Sequence, residues 1–402
     1  MPIPKLRFKD NQGRDYPDKI VKRIESLILE YKEKVDANSN LPILTSSKQF
    51  GIEFQEDHFA GKQRHDIEGY NVLPRNYCTY RNRSDGLDFK FNINTICEKG
   101  IISKFYPVFK GNNCNLYFLK TLLNNDPATL RKIAYTAKGT SQKVLSITDL
   151  KKITVTIPTL PEQEKIADFL SNYDRMIDVQ SQRVEAMKTR KKGLLQKIFS
   201  QEIRFKNDNG QNYPEWEKKT VGSLANNIVG GGTPSTKNPA FYAGEIPWIS
   251  SSDLVEDKIN YLNMTRFITQ DAINRSATKL IPAQSVMIVC RVGVGKVAVN
   301  ELPLCTSQDF MNLIVKEENS PVFIGYLLMN LMVKRRNSVQ GTAIKGIPSA
   351  EIKKFKVLVP ALPEQQKIAD FLTTVDAQID VEEKRLEIMK TIKKGLLQQM
   401  FI

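Results

Sequence analysis

Two glycine-rich stretches are the first places to look for phosphate chemistry: IVGGGTPSTKN from Ile228 and RVGVGKV from Arg291. A nucleotide site needs the order G-x-x-x-x-G-K-[ST], in which backbone amides cradle the phosphates, the lysine reaches the terminal ones and the hydroxyl holds magnesium. The first stretch lacks that order, and in the second Val297 stands where the hydroxyl belongs. They read as a loop and as a tight turn between strands. The Asp/Asn-Pro-Pro-aromatic tetrapeptide of an amino-methyltransferase is absent from the sequence, and His58 and His65, the only histidines, support neither a Ser-His-Asp triad nor a metal site. DGLDFK, near Asp85, is too sparse a carboxylate-lysine cluster for a nuclease. The five cysteines (Cys78, Cys97, Cys114, Cys290, Cys305) contain no CxxC pair and read as reduced, mostly buried thiols. No catalytic constellation is left, and neither a metal nor a cofactor is expected in this chain.

What remains is basic, amide and aromatic residues in polar segments, the side chains that reach phosphates and base edges. In the first half these are Lys62 and Arg64 in GKQRH, and Arg75, Asn76, Tyr77, Arg81 and Arg83 in LPRNYCTYRNRSDG. In the second half they are Thr233, Ser235 and Lys237 in the glycine-rich loop, Trp248, Ser250 and Ser251 in IPWISSSDL, Arg291 and Lys296 in RVGVGKV, and Gln308 in TSQDF. Gln142 and Lys143 join the first set and Lys345 the second. The net charge of +15 and a pI near 9.4 favour a polyanionic partner. Both halves contribute, with 24 basic against 17 acidic residues over 1–150 and 16 against 13 over 201–350. No apolar run reaches the ~18 residues of a membrane span, and the start MPIPKLRFKDNQG lacks the regions of a signal peptide, so a cytoplasmic protein without membrane contact is expected.

The elements that must hold these loops come in duplicate. Pro158–Phe199 and Pro360–Phe401 align without a gap, and 27 of the 42 positions are identical. The similarity begins earlier, where Gly139-Thr140 matches Gly341-Thr342 and Lys151-Lys152 matches Lys353-Lys354, and RFKDNQGRDYP from Arg7 is echoed by RFKNDNGQNYP from Arg204. Between the echoes the two segments look almost unrelated. Each unit of about 200 residues therefore runs as lead, variable globular segment and long helix, which predicts a pseudo-two-fold molecule. Pro161 and Pro363 suit a first helical turn, Thr159 or its neighbour a cap, and Glu162 and Glu364 the positive helix end. From Ile166 to Ile198 apolar residues recur at three- and four-residue steps, a stripe that needs cover, and the other copy is the nearest cover available. Two antiparallel helices in a coiled coil are expected, each roughly 58 Å long at 1.5 Å per residue, with Gly193 and Gly395 permitting close backbone approach. The globular segments mix alternating apolar runs (SVMIVCRV, ITVTIP, FKVLVP) with helical ones (GYLLMNLMVKRR, LYFLKTLLNN), so the class is α+β. Domains are expected at 1–157, 158–200 (helical spacer), 201–359 and 360–402 (helical spacer).

Two dissimilar globular domains, each followed by the same LPEQ...IADFL...KKGLLQ helix, resemble the specificity subunit of type I restriction-modification enzymes over the whole chain. The GGGTPS loop, PWISSSDL, VGVGKV and GTAIKGI also look like elements of such domains, although the first domain lacks the GGGTPS loop. The resemblance implies a non-catalytic subunit that reads a split, asymmetric site in double-stranded DNA, one half per recognition domain. It implies recruitment of two modification subunits, which transfer a methyl group from S-adenosylmethionine to adenine N6, and of two restriction subunits, which use ATP and Mg²⁺. On this reading the polar identities shared by the helices, Glu162/Glu364, Gln163/Gln365, Lys165/Lys367, Asp168/Asp370 and Arg183/Arg385, form the partner surface, since coiled-coil packing has no obvious use for them. The alternatives are a freestanding two-headed DNA-binding protein without methyltransferase partners, and a fused enzyme with cryptic methyltransferase activity.

Overall fold

The computed structural model describes residues 6–58, 66–338 and 346–401. The chain divides into two units, residues 1–181 with 385–402, and residues 182–384. Each unit therefore holds one globular head and a stretch of both long helices.

In the first unit β1 (Ile20–Arg23) follows the lead. The central sheet is built from β2 (Ile28–Tyr31), β3 (Cys78–Tyr80), β4 (Phe91–Ile93) and β5 (Val108–Gly111). Its order is β2-β5-β3-β4, antiparallel throughout. Helix α1 (Leu116–Asn125) starts at Asn115, whose side chain accepts the Phe118 amide, and buries Phe118, Leu119, Leu122 and Leu123. Strand β6 (Thr154–Ile157) returns antiparallel to β1, Ile20 opposite Ile157, and leads into α2 (Leu160–Phe199).

The second unit repeats this plan with other residues. Strand β7 (Glu217–Thr220) precedes a sheet of β8 (Ala225–Gly230), β9 (Ser285–Val289), β10 (Val297–Val299) and β11 (Phe310–Val315), in the order β8-β11-β9-β10. Numbered within each sheet, both read first, fourth, second, third, so two heads with almost unrelated sequences share one topology. Helix α3 (Pro321–Ser338) takes the place of α1, and β12 (Lys356–Val359) pairs with β7 and enters α4 (Leu362–Phe401). A further four-stranded sheet, Phe267–Ile268, Ile246–Ile249, Leu304–Thr306 and Leu280–Ile281 in that order, lies in the second head. The first head instead has the hairpin Leu44–Ser47/Gly51–Phe54 and the pair Asn71–Pro74/Lys99–Ile102.

Within each unit the helices run antiparallel. In the second, Arg183 pairs with Glu382 at 2.8 Å and Lys191 with Asp376 at 2.5 Å, while Leu195 and Ile198 share a core with Ile368 and Leu372. Numbers rise along α2 as they fall along α4. In the first, Asp174 pairs with Lys393, and Ile166, Ala167 and Leu170 share a core with Leu397, Met400 and Phe401. Part of the apolar stripe is therefore covered by the head, because Ile166, Ala167 and Leu170 also belong to the core of Ile24, Phe91, Phe109 and Phe118. Among the described residues Gly193 and Gly395 serve no close approach: a methyl group built on either meets nothing within 4 Å. No helix among the described residues is long and apolar enough to cross a membrane.

Candidate nucleic-acid interface

In the second head two of the three glycines, Gly231 and Gly232, are explained by backbone packing, while a methyl group on Gly230 would meet nothing within 4 Å. A methyl group on Gly231 would lie 2.0 Å from the Ser307 carbonyl oxygen, and one on Gly232 would lie 2.4 Å from Ala277 and Thr278. Only glycine lets the loop lie this close, and the Gly232 amide bonds the Thr306 carbonyl at 2.8 Å. The turn read in RVGVGKV is present between β9 and β10, with Gly293 (φ +81°) and Gly295 (φ +98°) in the left-handed region. The Cys290 amide bonds the Asp309 carbonyl at 2.7 Å, and the Ile347 amide bonds the Cys290 carbonyl at 2.8 Å. Residues 230–233, 290–291 and 308–309 thereby meet. Their exposed side chains are Thr233, Arg291 and Gln308, the Thr233 hydroxyl donating to the Gln308 side-chain carbonyl. Arg291 and Gln308 line a cleft of about 450 Å³ with Gly346–Ala350, and Ser235 and Lys237 continue the exposed loop. Burial holds the neighbouring Cys290 thiol up at about 11, which keeps it protonated and unreactive. Val292, 74% exposed beside Arg291, was missed by reading for polar residues, although an apolar group suits a thymine methyl.

Two members of the second-head set are structural instead. Trp248 is 5% exposed, packs with Phe241, Ile268 and Cys305, donates to the Gly232 carbonyl at 2.9 Å and carries the Arg266 guanidinium 4.7 Å above its ring. It anchors the glycine loop and has no free face for a base. Lys296 spends its ammonium on the carbonyls of Ser251 (3.1 Å) and Leu254 (2.8 Å), closing the turn after Ser250. Ser250 itself is tied to Asp253, its amide bonding the carboxylate at 2.7 Å.

In the first head Arg83 and Lys143 lie on two short paired strands, Val144 opposite Arg83, and Gln142 reaches Asp85 at 3.3 Å. The Arg83 guanidinium sits 4.4 Å from the Phe105 ring centroid, which Lys104 approaches from 6.0 Å. Arg81 is exposed on the same segment. Arg75, Asn76 and Tyr77 form a separate turn: Asn76 has φ +63°, Arg75 pairs with Glu98 at 2.5 Å and bonds the Thr95 carbonyl, and Tyr77 packs edge-on against Tyr31. Lys62, Arg64 and Lys345 lie outside the described residues.

Three of the five polar pairs kept between the helices turn out to be the helix half of an internal lock, in which the glutamate and lysine pairs meet the RFK of the repeated leads and the glutamine pair meets the head. The Arg7 guanidinium donates to Glu162 at 2.9 and 3.0 Å, and that of Arg204 donates to Glu364 at 3.1 and 2.9 Å. These hydrogen bonds raise both arginine pKa values. Phe8 meets Phe169, and Phe205 meets Phe371, each edge-on at 5.5 Å. Lys165 bonds the Lys9 carbonyl at 2.8 Å and Lys367 that of Lys206 at 3.0 Å. Gln163 accepts the Asn115 amide that begins α1, and Gln365 accepts the Ser320 amide that begins α3. Glu162, Gln163, Glu364 and Gln365 are at most 2% exposed and leave nothing for a partner, which corrects the surface expected from them. The capping role considered for Thr159 also fails: its hydroxyl has no partner among the described residues, and in the second copy Ala361 stands there. A second repeated contact joins Asp174 to Lys393 and Tyr117, and Asp376 to Lys191 and Tyr326, the latter at 2.7 Å. Still exposed are Asp168, Asp370 and Arg385, together with Arg183 beside Glu382. Val179 (60%) and Val381 (63%), identical and open in both copies, were overlooked because a search for polar identities passes over them.

The family model described as the type I restriction modification DNA specificity domain matches residues 87–189 and 213–390. Among curated proteins, the type I restriction enzyme MjaIX specificity subunit of Methanocaldococcus jannaschii is 29% identical over 208 residues, 51% of this chain and 48% of that one. The EcoR124I/EcoR124II specificity subunit of Escherichia coli is 34% identical over 170 residues, 40% of this chain and 41% of that one. The matched regions thus span about half the length of these relatives. Among solved structures, the type I restriction-modification S subunit from M. genitalium has the same fold, with a TM-score of 0.58 at 15% identity, over 99% of each chain.

Proposed function

Since the chain belongs to the type I restriction modification DNA specificity family, we propose that it is the non-catalytic DNA-reading subunit of a cytoplasmic type I restriction-modification complex. Each head reads one half of a bipartite, asymmetric site in double-stranded DNA. The observation that carries this reading is the contrast within the repeat: one topology and one lock, kept twice, present two unlike sets of exposed loops. In the second head the readers are Arg291 and Gln308, an arginine suited to guanine and an amide suited to adenine, with Thr233 orienting the amide and Lys237 on the backbone. In the first head they are Arg81, Arg83 and Gln142, with Lys143 on phosphate.

The like helices recruit like partners, two modification subunits that transfer the methyl group of S-adenosylmethionine to adenine N6, and two restriction subunits that use ATP and Mg²⁺ to cleave. Asp168 and Val179, eleven residues apart, fall about 20° from one another around α2, as do Asp370 and Val381 around α4, so each copy offers one polar-apolar stripe. Open space beside Gly193 and Gly395 supports a helix of the partner lying against them.

Replacing residues 18 to 138 with the segment of another such subunit, followed by mapping of methylated sites, tests the reading. One half-site should change and the other stay. Changes in both halves refute separate readers, and absence of methylation with no methyltransferase co-purifying favours a freestanding DNA-binding protein.

A further inference from the structure

A cleft of about 1110 Å³ opens in the first unit, walled by α1, the early part of α2 and the last turns of α4. Lys90, Lys120, Arg175, Lys393, Asp174 and Asp178 line it. Lys393 is taken up by Asp174. Among the described residues Lys90, Lys120 and Arg175 have no ion-pair partner, and the Lys120 ammonium lies 4.2 Å from the Tyr117 ring centroid. Three cations therefore face one remaining carboxylate, that of Asp178. Burial lowers the pKa of both lysines, opposed only in part by the charge of Asp88 at Lys90 and of Asp174 at Lys120, and it raises that of Asp178, the signature of charges incompletely compensated for the water they lose.

The second unit shows the same frame with its charges closed. There Asp380, the counterpart of Asp178, accepts Lys258 at 2.5 Å, and Lys258 also reaches Glu383 at 2.6 Å. Lys191 bonds the Asp257 carbonyl at 2.7 Å while paired with Asp376, and Lys192 meets the Asp257 carboxylate at 3.2 Å. A head segment, residues 257–258, thus neutralises the helix pair from within. Among the described residues the first head has no such segment at Asp178, and ammonium groups without ion-pair partners line the region instead. Half-buried lysines without ion-pair partners disfavour the folded chain, and such perturbed groups in clefts, here with the exposed Arg175 beside them, mark sites that await a ligand of opposite charge. Asn76, in the middle of the Arg75–Tyr77 turn, lines the same cleft, which makes it continuous with the first head's candidate DNA residues.

We propose that this cleft seats a phosphate group between Lys90, Lys120 and Arg175, and that the phosphate belongs to the backbone of the DNA bound by the first head. This rests on the DNA-reading function proposed above. The shared chemistry, a phosphate anion, has a second source in a free polyphosphate, and two measurements separate them.

The first compares the full-length chain, as it purifies from its host, with Lys90→Gln/Lys120→Gln, titrating a duplex that carries the mapped site from 50 to 200 mM salt. Loss of one phosphate contact lowers the slope of log K against log salt by about 0.9 and leaves the preferred sequence unchanged, and Lys90→Arg/Lys120→Arg restores the slope. The second follows thermal unfolding with tripolyphosphate at fixed ionic strength. Stabilisation of the wild type but not of the glutamine variant, with no change in salt slope, overturns the assignment to DNA in favour of a free anion. Unchanged slope and no stabilisation refute the phosphate seat itself. A wild-type chain that binds no duplex refutes the DNA-reading function and with it the assignment to DNA, while the polyphosphate titration still decides whether the seat exists. Misfolding is excluded if the ligand-free glutamine variant unfolds at or above the wild-type temperature, as expected when unpaired cations are removed.

Discussion

Substituting Arg204 with alanine strikes the lock where its energy is easiest to reckon. Glu364 is fully buried and is held by the Arg204 fork at 3.1 and 2.9 Å and by the Trp216 indole at 3.1 Å. Removing one partner of a buried ion pair costs roughly 3–5 kcal/mol, because the other charge is stranded. The Arg204 side chain is 21% exposed, so water already reaches the guanidinium, and the indole donor remains, which together place the loss at about 3 kcal/mol. The first lock should yield less. There Lys19 stands where the second unit has Trp216, burial lowers its pKa, and the Glu162 charge opposes that shift, so a cation remains beside the stranded carboxylate. Arg7→Ala should therefore cost about 2 kcal/mol. Urea unfolding measures both, followed by circular dichroism for the whole chain and by fluorescence for the second unit, which holds Trp216 and Trp248, the only tryptophans. Arg204→Lys, which keeps the charge but loses the fork, should fall in between. A loss below 1 kcal/mol for Arg204→Ala, or a larger loss for Arg7→Ala, would refute the reasoning.

Gly193→Ala and Gly395→Ala should each stabilise the isolated chain by ~1 kcal/mol, since alanine is the better helix former and its methyl group meets open space. Co-purification of modification subunits should fall; unchanged assembly would remove the glycines from the partner surface. Arg291→Ala should relax base preference at one position of the second half-site and weaken binding by about 1–3 kcal/mol, whereas Lys143→Ala should weaken binding without altering preference; methylation mapping distinguishes them. Inserting seven residues after both Ser181 and Glu383 lengthens each helix by roughly 10 Å and leaves the stripes about 20° from phase. If the helices set the spacing, the unread gap between half-sites should grow by about three base pairs at ~3.4 Å each, and an active variant with the old gap would assign the spacing to the partners or to DNA bending.

The class, the duplicated organisation and the antiparallel pairing within each unit were legible because they rest on local signals: a run of matched positions, three- and four-residue spacing, a proline at the first turn. The common sheet order of the heads was not legible. It depends on which strands pair across distances such as Ile28 to Gly111, and unrelated residues satisfy the same pairing when only alternation and burial are demanded. At the candidate sites the sequence displayed residue type but not what each side chain already touches. Trp248 looked like a DNA contact and is a core anchor; Lys296 looked like one too and closes a turn. The helix identities misled for a better reason. Glu162 and Arg7 are 155 residues apart, and only the recognition that RFK and LPEQ are repeated together would have suggested that they are kept for each other.

That pairing also explains how a duplicated chain can vary so much between its echoes. Because the strand after the lead and the strand before the helix form a ribbon, and the arginine, phenylalanine and lysine carbonyl of the lead grip the helix start, each head is fastened at its two chain ends. What lies between need only complete a four-stranded sheet and place one helix so that its first amide meets Gln163 or Gln365 and its tyrosine meets Asp174 or Asp376. Those demands fix a frame and leave the loops free, since loop residues contribute little to the core that fastens the head. On the function proposed above, a new reader can then enter without disturbing the surface offered to partners. The same logic predicts where tolerance ends: a replacement head lacking the tyrosine on its helix strands Asp174 or Asp376 against a single lysine, and should fold less stably even when its own sheet is sound.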